Sequence, residues 1–150
     1  MLNSIQVKIK KVRENSLALP AYATAASAGV DLCADLNESL TVNPGDNLKI
    51  PTGLAIELPG PHVVALVFAR SGLASRYGIG LTNGVGVIDS DYRGEIQVLA
   101  QNLGQQQIII NPGDRIAQMV FVPIFKAVFE EVAELGETER GTGGFGSTGI

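Results

Sequence analysis

The chain has 150 residues, with 11 Lys and Arg against 15 Asp and Glu, a formal net charge of −4 and a pI near 4.9. That length suits one domain, and 45% hydrophobic against 17% charged residues is enough to bury a core. The acidic balance argues against a nucleic-acid coat that works by phosphate neutralisation, and the single cysteine, Cys33, excludes an intramolecular disulfide or a Cys-based zinc site.

Periodicity favours strands nearly everywhere. Ile5, Val7 and Ile9 alternate with Gln6, Lys8 and Lys10, the pattern of an amphipathic strand. Met1 to Val12 carries no continuous apolar run of the kind a signal peptide needs. Asn43-Pro44-Gly45-Asp46 recurs as Asn111-Pro112-Gly113-Asp114, and Pro followed by Gly at the two central positions predicts type II turns at hairpins or corners. Leu48 and Ile50 precede a turn at Pro51-Thr52-Gly53, after which Leu54, Ile56 and Leu58 alternate. Val63 to Phe68 reads as a strand buried on both faces.

The longest clean apolar run, Val63 to Ala69, is far too short to span a bilayer. A reducing, cytoplasmic setting without membrane or nucleic-acid partners is therefore expected. Ser71 to Gly78 carries the one convincing helix signal, with Ser71 as cap and Gly78 as stop. Ile96, Val98 and Ala100 alternate with Gln97, Leu99 and Gln101, and Ile108–Ile110 and Ile116–Phe125 supply two further strands. Many short strands with one short helix predict an all-β sandwich or jelly roll over residues 1–135. Residues 136–150 form a glycine-rich arm. Composition alone reads that arm as a disordered tail, yet its Arg, aromatic and hydroxyl residues also suit a segment that wraps a phosphate ligand.

Several segments carry chemistry. Arg70-Ser71-Gly72 follows a buried strand and opens the helix, a place that suits either an anion or a solvent-facing surface turn. Val87 to Glu95 is the densest polar cluster. A hairpin there, preceded by Asn83-Gly84-Val85-Gly86, suits a flat ligand, with Asp89 or Asp91 as a base on water; an ordinary charged hairpin is the plain alternative. Asp31 is one carboxylate among small and apolar residues, and Gln118 lies on a strand where it needs polar partners. His62, the one histidine, reads as a surface residue. Gly141 to Gly146 matches GxGxxG formally, but no strand–helix unit surrounds it, and Ser147 stands where a P-loop needs Lys.

Taken together the chain resembles the trimeric dUTPase family. The family's five motifs occur in order as Ala28–Leu32, Arg70–Ala74, Asn83–Gly94, Gly113–Met119 and Arg140–Gly149. One departure is Ala69, where the family often has Pro.

The resemblance implies a jelly-roll-like sandwich or distorted barrel in a homotrimer. Each active site is then shared: the first, second and fourth motifs from one subunit, the third from another, the fifth from the remaining one. The implied reaction converts dUTP and water to dUMP and pyrophosphate, which keeps uracil out of DNA and supplies dUMP for thymidylate synthesis. Asp89 matches the carboxylate that activates the water. Arg70, Ser71, Gly72 and Gln118 match phosphate contacts, with Ser71 near the leaving group. Arg140 resembles a clamp on the terminal phosphate. Phe145 would stack on uracil, with Gly146 beside it, and Ser147 and Thr148 would reach the γ-phosphate. Asn83, Gly86, Val87, Ile88 and Gln97 match the uracil-reading segment, and Tyr92 the ring against deoxyribose. Mg²⁺ is the implied cofactor, held mainly by substrate phosphates, with Asp31 supporting its water shell. Two alternatives share the fold. A dCTP deaminase would need a base-side Glu and usually Arg-Ser-Ser in the second motif; a non-catalytic nucleotide-binding trimer would bind without turnover.

Overall fold

The computed structural model describes residues 4–14 and 17–144. In chain order the strands are β1 (Lys8–Lys11), β2 (Val30–Cys33), β3 (Leu40–Val42), β4 (Asn47–Pro51), β5 (Leu54–Glu57) and β6 (Val63–Ala69). Helix α1 (Ser71–Tyr77) follows, then β7 (Ile79–Leu81), β8 (Gly86–Ile88), β9 (Gln97–Asn102), β10 (Ile108–Ile110) and β11 (Arg115–Pro123). The fold is all-β and jelly-roll-like with one short helix.

Every pairing among the described residues is antiparallel. The sheets run β2-β11-β6-β8, β4-β9-β7, β1-β5 and β10-β3, and none closes into a barrel among the described residues. The period-2 alternation supplies the core. Leu32, Val42, Ile50, Ile96, Val98 and Met119 are fully buried in one apolar cluster that draws on all four sheets. The same alternation turns Asp31 and Cys33 away from the core that Val30 and Leu32 enter.

Both Asn-Pro-Gly-Asp sequences form type II turns. Gly45 and Gly113 have φ of 87° and 84°, which only glycine adopts cheaply at that position. Asp46 N–H donates to Asn43 O at 3.1 Å and Asp114 N–H to Asn111 O at 3.0 Å. The Asp carboxylates in turn accept the Asn43 and Asn111 N–H groups at 2.7 Å. Both are corners rather than hairpins, because each joins strands of different sheets.

Two local expectations change. The helix is present, but Arg70 is its N-cap residue, with extended backbone (φ −86°, ψ 128°) and no side-chain cap bond. Ser71 is the first helical residue, and its hydroxyl makes no hydrogen bond among the described residues. Gly78 ends the helix in the left-handed conformation as expected. The expected hairpin over Asn83–Gly94 is not a two-stranded ladder. β8 pairs with β6 while β7 and β9 pair in another sheet, so the loop after β8 crosses between sheets. That crossing opens a recess a tight hairpin would have closed.

Candidate active site

The first polar cluster is built on β2, β6 and β11. The antiparallel register sets Gln118 beside Asp31 on one side and beside Phe68 on the other. A bulge at the start of β11 breaks the alternation between Arg115 and Ala117 and brings Arg115 opposite Cys33. Asp31 Oδ1 accepts Arg70 Nε at 2.8 Å, and Oδ2 accepts Arg115 Nη1 at 3.2 Å. Arg70 Nη1 also donates to Arg115 O at 3.4 Å, and Gln118 Nε2 donates to Ala69 O at 3.1 Å.

Asp31 and Arg70 are about three-quarters shielded from solvent, with 24% and 26% of their side-chain surface exposed. Two guanidinium groups share the Asp31 carboxylate, with Asp114 close by, and the cluster offers forked N–H donors suited to phosphate oxygens. Burial, and then the Asp31 carboxylate, push the Cys33 thiol up, so it stays protonated and unreactive beside this cluster.

The second cluster is a recess of about 220 Å³ between β6, β8 and β9. Asn83, Gly86, Val87, Ile88, Tyr92 and Gln97 line it, with Val67, Leu81, Val98, Leu99, Glu95 and Ile96. A ligand of drug size needs roughly 300–1,000 Å³, so this recess suits a fragment such as one flat ring and its substituent. Tyr92 is held across its mouth: Oη donates to Glu95 O at 2.9 Å, and Tyr92 N–H donates to Asp89 O at 3.2 Å. Gly94 lies against the ring: a Cβ on it would come within 2.6 Å of Tyr92 Cζ and would displace the ring from this position. Asp89 follows directly on β8 and is exposed. Its carboxylate makes no ion pair or hydrogen bond among the described residues.

Asp31, Arg70 and Gln118 therefore meet in one cluster, and the residues of the third motif meet in another. Arg140 is exposed on the segment after β11, and its guanidinium makes no hydrogen bond or ion pair among the described residues. Phe145, Gly146, Ser147 and Thr148 lie outside the described residues. Sequence reasoning passed over Arg115, although Gly113-Asp114-Arg115-Ile116 sits inside the fourth motif. Glu95, the last residue of the polar cluster, precedes β9 and lines the recess. Among the described residues no group of three or more His, Cys, Asp or Glu side chains is arranged to hold a metal ion. No helix among them is long and apolar enough to cross a membrane.

An all-β frame thus carries a guanidinium-rich cluster and a separate recess the size of one ring. A family model described as dUTPase matches residues 15–149. The chain belongs to the dUTPase family and is an enzyme of that kind. It is 60% identical over 150 residues to a deoxyuridine 5'-triphosphate nucleotidohydrolase of Desulfitobacterium hafniense, covering 99% of each chain. It is 49% identical to the protein of that name from Klebsiella pneumoniae, again over 99% of each. Among solved structures, a mutant dUTPase of phage 80alpha superposes with a TM-score of 0.84 at 26% identity, covering 98% of this chain and 99% of that one. A mutant dUTPase of phage phi11 of S. aureus, described with a structural Mg(II) ion, superposes with a TM-score of 0.77 at 23% identity, covering 86% and 97%.

Proposed function

We propose that the enzyme hydrolyses dUTP to dUMP and pyrophosphate by attack of water on the α-phosphorus. The observation that carries this reading is the division of polar residues. The first, second and fourth motifs form one guanidinium-bearing cluster, and the third forms a separate recess. A nucleotide has the same division, with charged phosphates at one end and a flat base with its sugar at the other.

In this reading Arg70, Arg115, the first-turn N–H groups of Ser71 and Gly72, and the Ser71 hydroxyl bind the phosphates. Gln118, through its bond to the Ala69 carbonyl, sets the angle at which Arg70 leaves the strand. Asn83 to Ile88 and Gln97 read the edge of uracil, and mismatched buried polar groups there cost a cytosine analogue about 10⁴ in discrimination. Asp89, an unpaired exposed carboxylate after β8, takes the proton of the attacking water. Arg140 clamps the terminal phosphate and Phe145 covers the base, which excludes bulk water.

Mg²⁺ fits this donor set as an ion held by substrate rather than by a protein cage. Both Asp31 oxygens already face guanidinium groups and no carboxylate cluster stands nearby among the described residues. Asp31 would hold it through water. When bound, the ion supplies charge neutralisation on the triphosphate.

The working form is a homotrimer with shared sites. Phe125 and Phe129 are 102% and 93% exposed, and Val128 and Leu135 nearly as much. Large apolar side chains left this exposed call for cover by other copies. The cytoplasm, where free nucleotides are handled, is the proposed location.

A deaminase is disfavoured by one contact. Glu95 does line the recess, but its carboxylate is spent on Arg13 and the Gly53 N–H, which leaves no free proton shuttle.

The first experiment is pyrophosphate release from dUTP, dCTP, dTTP and UTP with Mg²⁺. Release from dUTP alone supports the reading; release of ammonia from dCTP, or binding of dUTP without turnover, would replace it. Two variants test the recess. Tyr92→Ala is expected to raise kcat/KM for UTP about tenfold, since removing one ring contact is worth on the order of 1.4 kcal/mol. Unchanged rejection of UTP would place sugar selection elsewhere. Gly94→Ala pushes the Tyr92 ring off its hydrogen bond and is expected to raise KM for dUTP about tenfold at little cost in kcat. An unchanged KM would show that the ring position does not matter.

A further inference from the structure

One wall of the recess is held by residues that lie outside all five motifs. Glu95 Oε1 accepts Arg13 Nη2 at 2.8 Å, Arg13 Nη1 at 3.0 Å and Gly53 N–H at 2.8 Å. Arg13 reaches Asp35 as well, so one guanidinium bridges two largely shielded carboxylates. The Glu95 main-chain oxygen is the acceptor for Tyr92 Oη. The next residue is tied just as firmly. Ile96 N–H donates to Leu54 O at 2.8 Å, and Ile96 O accepts the buried Thr52 hydroxyl at 2.7 Å. Val12 N–H donates to Gly53 O at 2.9 Å, and β1 pairs with β5 in the register Lys8↔Glu57 to Lys11↔Leu54. The N-terminal strand thus arrives at a defined place, and Arg13 is delivered to Glu95 by that register.

We infer that Arg13 is a positioning residue for the nucleoside recess: through Glu95 it fixes the main chain that holds the Tyr92 ring, and so sharpens the choice of deoxyribose over ribose. The inference rests on the reading of the recess as the nucleoside site. Tyr92 is 44% exposed, so packing does not immobilise its ring; the hydrogen bond to Glu95 O does. That bond holds the ring no more firmly than Glu95 itself is held. Removing Arg13 takes away two of the three hydrogen bonds on Glu95 Oε1 and leaves that oxygen the Gly53 N–H, so Glu95 is held less firmly. Lysine cannot replace it fully, because an ammonium group lacks the planar fork that meets two carboxylates at once.

The test is steady-state kinetics of the full-length protein with dUTP and UTP for wild type, Arg13→Lys, Arg13→Ala and Glu95→Gln. Lys8→Ala serves as control, since it breaks only the exposed pair with Glu57 on the same strand. Arg13→Ala is expected to raise KM for dUTP about tenfold with kcat within about threefold, and to lower the preference for dUTP over UTP about tenfold. Arg13→Lys should fall between, and Lys8→Ala should match wild type. Joining Arg13→Ala to Glu95→Gln should add little, because both break one contact. Unchanged KM and preference in Arg13→Ala would overturn the inference, as would a lower melting temperature with the preference intact. If Arg13→Ala does not fold, Arg13→Lys decides by the same ratio. Wild type that fails to hydrolyse dUTP would overturn the proposed function instead. The clamp is then read from calorimetric binding of dUMP against UMP by the same variants, where an unchanged ratio rejects it.

Discussion

Asp89→Asn is expected to lower kcat for dUTP about 10³-fold, within the 10²–10⁴ range of a lost general base, while leaving nucleotide affinity nearly intact. Asn keeps the size and shape of Asp and removes only the negative charge and proton affinity. The local fold does not depend on the carboxylate. It is the Asp89 main-chain oxygen, untouched by the change, that accepts Tyr92 N–H, and the loop is further held by Arg93 Nη1 on the carbonyls of Ser90 and Tyr92. The carboxylate itself has no partner among the described residues, as a base kept for a substrate-bound water requires. The measurement is pyrophosphate release alongside calorimetric binding of dUMP. Wild-type turnover in the variant would reject Asp89 as the base. Loss of binding and turnover together would make it a structural residue of the loop.

Ending the chain after Glu139 is expected to lower kcat/KM by a factor on the order of 10³–10⁵, the worth of an arginine that stabilises transferring phosphates, without altering the melting temperature. The deleted part supplies Arg140 and the residues of the fifth motif. Among the described residues it supplies no strand, since the last of those, β11, ends at Pro123, and the core cluster ends at Met119 with Phe121 packed against it. Arg140→Ala separates the guanidinium from the rest of the arm: a loss close to that of the truncation assigns most of the effect to this side chain. A fully active truncation would show that the arm takes no part in the reaction. A fall in melting temperature equal to that of a core substitution would show instead that it stabilises the assembly.

The strands were legible because alternation is a local signal. In β9, Val98 and Ala100 point to the core and Gln97 does not, as the one-letter pattern says. The two Pro-Gly turns were legible for the same reason: Gly45 and Gly113 alone decide their geometry. The misplaced cap at Ser71 shows the limit of this. A Ser before a helical run is a cap only if it is itself extended and not already helical, and here Arg70, directly after β6, takes the extended position. The expected hairpin failed because a Gly-rich turn between two apolar runs does not say which sheet each run joins. β8 found its partner in β6, where Gly86 lies against Val67, and not in β7.

By itself the amino-acid sequence determined the all-β class, the two Pro-Gly turns, the short helix and the five motifs that mark the dUTPase family, all through contacts within a few residues. Only the tertiary structure decided which distant residues share a charge. Asp31 holds Arg70 and Arg115, and Arg13 holds Glu95 and Asp35, across separations of up to 84 residues. Such pairs are set by sheet register and by one bulge in β11, and register is a property of the whole packed sheet rather than of any stretch of chain.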